Sequence, residues 1–231
     1  MFFRALKWII LLKIMGHVKL KCYGFLYLKS SKERKQFMEP FFIFGLGNPG
    51  REYERTRHNI GFIALDKLSV EWKIEISRFR YKSLVGEGKF AGNRILLVKP
   101  QTYMNNSGAA VHSFMRFYKL DSDRLLIIHD DLDLPFGSIR IRKGGGSAGQ
   151  RGMQSIISKI GTDEFARLRI GIGRPPGKMD PMDYVLKKFS HDSKTDLDLV
   201  LNTVVSSIEV MLIDGIERAM TIYNHSVLQD E

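Results

Sequence analysis

Residues 41–50 read FFIFGLGNPG, a short apolar run that ends in a glycine-rich turn. Apolar residues at consecutive rather than alternate positions describe a strand buried on both faces, as in a parallel sheet covered by helices. The chain around it fits that arrangement. Ile60, Ile63, Ala64 and Leu68 fall at helical spacing within Ile60–Val70. Ser83–Phe90 and Arg94–Val98 read as strands joined by a turn at Ala91-Gly92-Asn93. A second helical stripe (Val111, Phe114, Met115, Tyr118) runs through Tyr103–Tyr118. Leu125–Ile128, Ser138–Arg142 and Leu168–Ile172 read as further strands, and Arg151–Ile160 as a helix after a glycine-rich loop. From about Asp180 the pattern is helical to near the end, with a long segment over Lys194–Asp214. Strands alternate with helices and no repeat appears. The expectation is an α/β fold, a single-domain sandwich with a central mixed, largely parallel sheet flanked by helices.

In such sheets, sites gather where strands end and loops begin. Asn48, Gln101–Asn106 and His129–Asp133 all follow strands, and Gly144–Arg151 opens a helix. Gly45-Leu46-Gly47-Asn48-Pro49-Gly50 also satisfies a dinucleotide fingerprint. Against that reading, Pro49 and Arg51-Glu52-Tyr53 do not open a clean helix at the place a pyrophosphate requires. The Gly144–Gly149 loop lacks the Gly-Lys-Ser/Thr of a phosphate cradle. His58, at the start of a helix, is by itself more often a capping or surface residue. Asp130 changes its meaning, because an ionised carboxylate at the end of a buried strand needs a partner to offset desolvation. An Asp–His pair holds imidazole in one tautomer and stabilises its protonated form, as a general base requires. Asp130, Asp131 and Asp133 also read as a turn or a divalent-metal cluster.

No nucleophile suits covalent catalysis: Ser107 lies in Asn-Ser-Gly rather than a nucleophile elbow. A hydrolase built here would use His58 to activate water. Asn48, Asn105 and Asn59 are then candidate amides to hold a carbonyl whose charge grows in the transition state, or else turn residues.

Composition adds a partner. The net charge of +11 points to a polyanion and is unevenly spread. Residues 1–37 hold nine Lys/Arg and one acidic residue, Glu33, while 138–188 hold eleven Lys/Arg against four Asp/Glu. Cys22 is the only cysteine, so the body has neither a disulfide framework nor a zinc site, which fits a reducing cytoplasm. No stretch reaches the roughly 20 apolar residues of a membrane span. The extension 1–37 has a broken apolar run and no small-residue cleavage site, and reads as a disordered arm or a mis-assigned start before Met38.

GLGNPGREYERTRHNIG (45–61), KPQTYMNNSG (99–108), HDDLDLPFG (129–137) and GGGSAGQRGMQSII (144–157) together resemble bacterial-type peptidyl-tRNA hydrolase. The resemblance spans nearly all of the catalytic domain expected over 38–231. It implies a monomeric α/β enzyme, without metal or cofactor, that cleaves the ester joining a peptide to the 3′ ribose of tRNA. By motif position His58 is the general base and Asp130 sustains it. Asn48 helps to discriminate N-blocked peptidyl-tRNA from free aminoacyl-tRNA, and Tyr53, Tyr103 and Asn105 line the groove. Arg142 and Arg169 fall where the family places phosphate-contacting cations. One departure stands out. Where the family continues Gly-His-Asn-Gly, this chain has Gly149-Gln150-Arg151-Gly152, so Arg151 replaces a substrate-contacting asparagine. Arginine has donors but no acceptor. The competing expectation is therefore a non-catalytic RNA-binding relative of the same fold.

Overall fold

Phe41–Gly45 forms strand β1, with every residue buried. Its side chains divide by parity, as the pleat of a strand dictates. Phe41 and Ile43 enter one hydrophobic core, whereas Phe42 and Phe44 enter the other. The computed structural model describes residues 39–190 and 193–228, and the basic extension over 1–37 lies outside them. Within 40–231 the chain forms one unit.

Around β1 stand β2 (Arg78–Arg80), β3 (Ser83–Phe90), β4 (Asn93–Pro100), β5 (Leu125–Asp131), β6 (Ile139–Arg142) and β7 (Ala166–Gly171). They form a seven-stranded sheet in the order β2-β3-β4-β1-β5-β7-β6. The inner strands β4, β1, β5 and β7 run parallel, and the outer ones attach antiparallel, so the sheet is mixed as the sequence suggests. Helices α1 (Ile60–Glu71), α5 (Lys194–Asp214) and α6 (Ile216–Tyr223) cover one face. Helices α2 (Ser107–Tyr118) and α3 (Arg151–Ile160) cover the other, with Phe114 packed edge-on against Phe42 and Phe44. The short α4 (Pro181–Val185) lies in the segment after β7.

Several sequence expectations need correction. The helical reading from Asp180 breaks after α4, whereas the long segment expected over Lys194–Asp214 is α5 itself. The Tyr103–Tyr118 stripe starts its α-helix at Ser107, after a tight 3₁₀ turn over Met104–Asn106. Strand β5 continues three residues beyond Ile128, because parallel pairing with β7 extends to Asp131↔Gly171. Its acidic residues therefore sit on rigid backbone.

Two glycines let β1 and α1 touch. A Cβ on Gly45 would lie 2.1 Å from the Gly61 carbonyl oxygen, and one on Gly61 would lie 2.4 Å from the Leu46 nitrogen and 2.5 Å from the Ile128 oxygen. All of these neighbours are backbone and cannot move aside cheaply. This approach brings the residues just before α1 to the carboxyl ends of β1 and β5. Gly61→Ala is accordingly expected to lower stability by about 1–3 kcal/mol through overpacking, read as a lower urea midpoint. An unchanged midpoint would show that the two elements have slack.

Candidate active site

The inner strands share a direction, so their carboxyl ends open on one edge of the sheet. A cleft of about 540 Å³ lies there, walled by Asn48 after β1, Tyr103 and Asn105 after β4, and Asp130 at the end of β5. Gln150 and Arg151 from the start of α3, and Met182 and Val185 from α4, close it. His58 reaches the cleft from a single 3₁₀ turn, Arg57–Asn59, immediately before α1.

His58 and Asp130 meet. The His58 Nδ1 lies 2.7 Å from Asp130 Oδ2, with the two side chains 15% and 3% exposed. An ionised carboxylate only accepts, so Nδ1 is the protonated nitrogen and Nε2 carries the lone pair. The other oxygen of Asp130 accepts from Gln150 Nε2 at 3.0 Å. Asp131 pairs with Arg169, and Asp133 pairs with Arg174 at 2.6 Å. The three carboxylates thus share no side-chain partner: His58 and Gln150 hold Asp130, Arg169 holds Asp131 and Arg174 holds Asp133. Among the described residues no group of His, Cys, Asp and Glu has the geometry to hold a metal ion, so the metal-cluster reading finds no ligand set.

Asn48 is clamped from both sides. Its side-chain oxygen accepts from the Met104 backbone N–H at 2.8 Å, which ties the loop after β1 to the loop after β4. Its main chain exchanges two hydrogen bonds with the Asn59 amide, at 2.8 and 2.9 Å. Asn59 is buried and spent on this pairing, so it supports the site rather than contacting substrate. No helix directly follows Gly50, and α1 waits until Ile60; the glycine turn presents Asn48 and has no helix N-terminus for a dinucleotide.

Other expected residues fall unevenly. Tyr103 and Asn105 are exposed on the cleft wall. Tyr53 is half-buried in the preceding turn and is not among the residues lining the cleft. Arg151 lines the cleft, with Nη2 3.3 Å from Met182 Sδ. Arg142 is exposed at the end of β6 and has no ion pair among the described residues. Arg169, by contrast, already holds Asp131.

The chain matches the family model described as peptidyl-tRNA hydrolase over residues 42–231. It belongs to the peptidyl-tRNA hydrolase family. A relative of that name from Carboxydothermus hydrogenoformans is 50% identical over 184 residues, covering 80% of this chain and 98% of the relative. A chloroplastic peptidyl-tRNA hydrolase from Arabidopsis thaliana is 43% identical over 199 residues, covering 85% of this chain and 69% of the relative. Among solved structures, the peptidyl-tRNA hydrolase of Acinetobacter baumannii superposes with a TM-score of 0.76 at 35% identity, over 82% of this chain and 97% of that one.

Three supports of this cleft left no mark in the sequence. Gln150 caps α3 and reaches Asp130. Arg57 donates to the Lys187 and Lys188 carbonyls and stacks on Tyr184 at 4.5 Å, which fastens the segment after α4 beside His58. Buried Arg167 donates to the carbonyls of Gly145, Gly146 and Asp163, which holds the glycine-rich loop in place. Burial lowers the Arg167 pKa, against the opposing pull of Asp163 and Glu164. Each contact joins residues far apart in the chain, or a side chain to bare backbone, and leaves no spacing signal. The only hint was a basic or amide residue within a motif.

His129 titrates unusually. Burial pushes its imidazole below the ordinary 6.5, with Arg169 acting in the same direction, while Asp130 and Asp131 pull upward. The unfolded chain therefore binds a proton below pH 6.5 that the native chain resists. Stability should fall as pH drops below 6.5, because the unfolded state holds more protons there. His129→Asn is expected to flatten that decline in urea midpoints. An identical slope in the variant would assign the decline to other groups.

Proposed function

We propose that this chain hydrolyses the ester joining a peptide to the 3′ ribose of tRNA, with His58 as the general base. One observation carries the reading: Asp130 occupies the Nδ1 side of His58, which leaves Nε2 as a basic nitrogen at a cleft with room for the scissile ester. Water gives its proton to Nε2 while its oxygen bonds to the ester carbon. The carbon–oxygen bond to the ribose then breaks, and His58 returns the proton to the departing 3′ oxygen. Asp130 holds the tautomer and stabilises the imidazolium between these steps. Free tRNA and the peptide are the products.

Asn48 has a definite polarity in this scheme. Its oxygen is occupied by Met104, so the amide offers Nδ2 as a donor. A blocked peptide presents carbonyl acceptors to such a donor, whereas the α-ammonium of a free aminoacyl-tRNA presents only donors. Asn105 and Tyr103 extend the wall, and Arg151 supplies cationic donors where the family has an amide. Tyr53 serves the groove through the turn that carries Asn48. Arg142 is the freer phosphate contact, and Arg169 joins it from its pairing with Asp131. The basic excess over 138–188 is the electrostatic footprint of tRNA. The same reading makes the protein a cytoplasmic monomer. No helix among the described residues is long and apolar enough to cross a membrane.

Incubation with N-acetylated aminoacyl-tRNA tests the proposal. Turnover should be lost in His58→Ala by about 10²-fold or more, the lower range of a general base. Tight binding without hydrolysis by the unaltered chain would favour the non-catalytic RNA-binding alternative. Asn48→Asp keeps the bond from Met104 but presents an acceptor. The preference for N-acetylated over free aminoacyl-tRNA is expected to shrink by about 10–100-fold in kcat/KM, the worth of a hydrogen bond to a charged group. An unaltered preference would remove Asn48 from discrimination.

A further inference from the structure

Gln150 stands at the place where the resemblance leads one to expect histidine, and its amide is engaged at both ends. Its Oε1 accepts from the Met153 N–H at 2.7 Å, which caps α3. That bond fixes which end of the amide is which. Nε2 therefore faces Asp130 Oδ1 at 3.0 Å and lies 3.2 Å from Met104 Sδ, on the wall of the cleft. Asp130 is almost wholly buried, and among the described residues each of its two oxygens has one side-chain partner, His58 and Gln150.

We propose that Gln150 is a positioning residue for the His58–Asp130 pair, acting on catalysis through the carboxylate; this rests on the reading of His58 as the base. Two physical effects follow from the geometry. Rotation of the Asp130 carboxylate would turn Oδ2 away from His58, and a bond to Oδ1 from a capped, rigid amide opposes that rotation. The N–H also draws negative charge toward Oδ1, away from the oxygen that faces His58. Gln150 thus supplies a neutral donor to the carboxylate and caps the helix with one side chain, and no charge is added beside the imidazole.

The two jobs can be separated by substitution. Gln150→Thr retains a side-chain oxygen suited to the cap but is too short to reach Asp130. Gln150→Glu retains both the length and the cap, but sets a second carboxylate against the first. The other charged groups near the pair are Arg57 in the same turn as His58, Asp131 and Asp133 beyond Asp130, Arg169 paired with Asp131, Arg151 on α3 and the adjacent His129. All remain in both variants, so a change in titration traces to residue 150.

The measurement is the pH profile of kcat/KM and kcat on N-acetylated aminoacyl-tRNA, with urea midpoints taken alongside. Gln150→Thr should fold with a midpoint near that of the unaltered chain and lose about tenfold in kcat, with KM little changed. Its acid limb should move to higher pH, because an unrelieved Asp130 stabilises the His58 imidazolium more strongly. Gln150→Glu should move the limb further. If both variants keep the original acid limb, Gln150 does not act through Asp130, and a loss of kcat alone would then mark only a structural role. If His58→Ala retains turnover, the underlying assignment of the base fails whatever Gln150 does.

Discussion

A buried carboxylate at the end of a central strand governs the arrangement of this molecule. Asp130 is almost fully removed from water, and its charge is tolerable only if both oxygens are met by donors. No neighbour in sequence can do that. One donor comes from the turn before α1 and the other from the residue that caps α3, so two crossovers must return to the same edge of the sheet. The glycine contact between β1 and α1 and the Arg167 staple on the loop before α3 keep those two deliveries accurate. The pairing that offsets the cost of burying Asp130 is also the one on which the proposed base, His58, depends.

Much of this was legible in the sequence. The parallel core announced itself because strands buried on both faces must be continuously apolar, as Phe41–Phe44 and Leu125–Ile128 are. The cleft was legible because four polar loops interrupt that pattern at strand ends. What escaped notice has physical reasons. Strand β2 (Arg78–Arg80) is exposed throughout and carries charge at an edge, where neither face needs apolar residues. Gln150 reads like any polar residue opening a helix until the fold brings Asp130 to it. Asn59 looked like a substrate amide because the sequence could not show that the Asn48 backbone would consume both ends of it.

The departure at 150–151 also becomes less puzzling. A glutamine can accept at the helix cap and donate to a carboxylate at the same time, without titrating near neutral pH. Arg151, one residue on, turns to the other wall and approaches Met182. The two changes touch different parts of the cleft, one the His58–Asp130 pair and the other the wall formed by Met182.

The wall built from α4 has a consequence during synthesis. Pro181, Met182, Val185 and Leu186 complete the cleft, and Arg57 is fastened to carbonyls at 187 and 188. Chains emerge from the ribosome amino end first. While this one is being made it is itself a peptide esterified to tRNA, the bond its family is named for breaking. The histidine is threaded early, but the far wall of its cleft comes well over a hundred residues later, and the clasp on Arg57 reaches a carbonyl 131 residues on. A nascent copy therefore lacks this wall and its clasp for most of its own elongation.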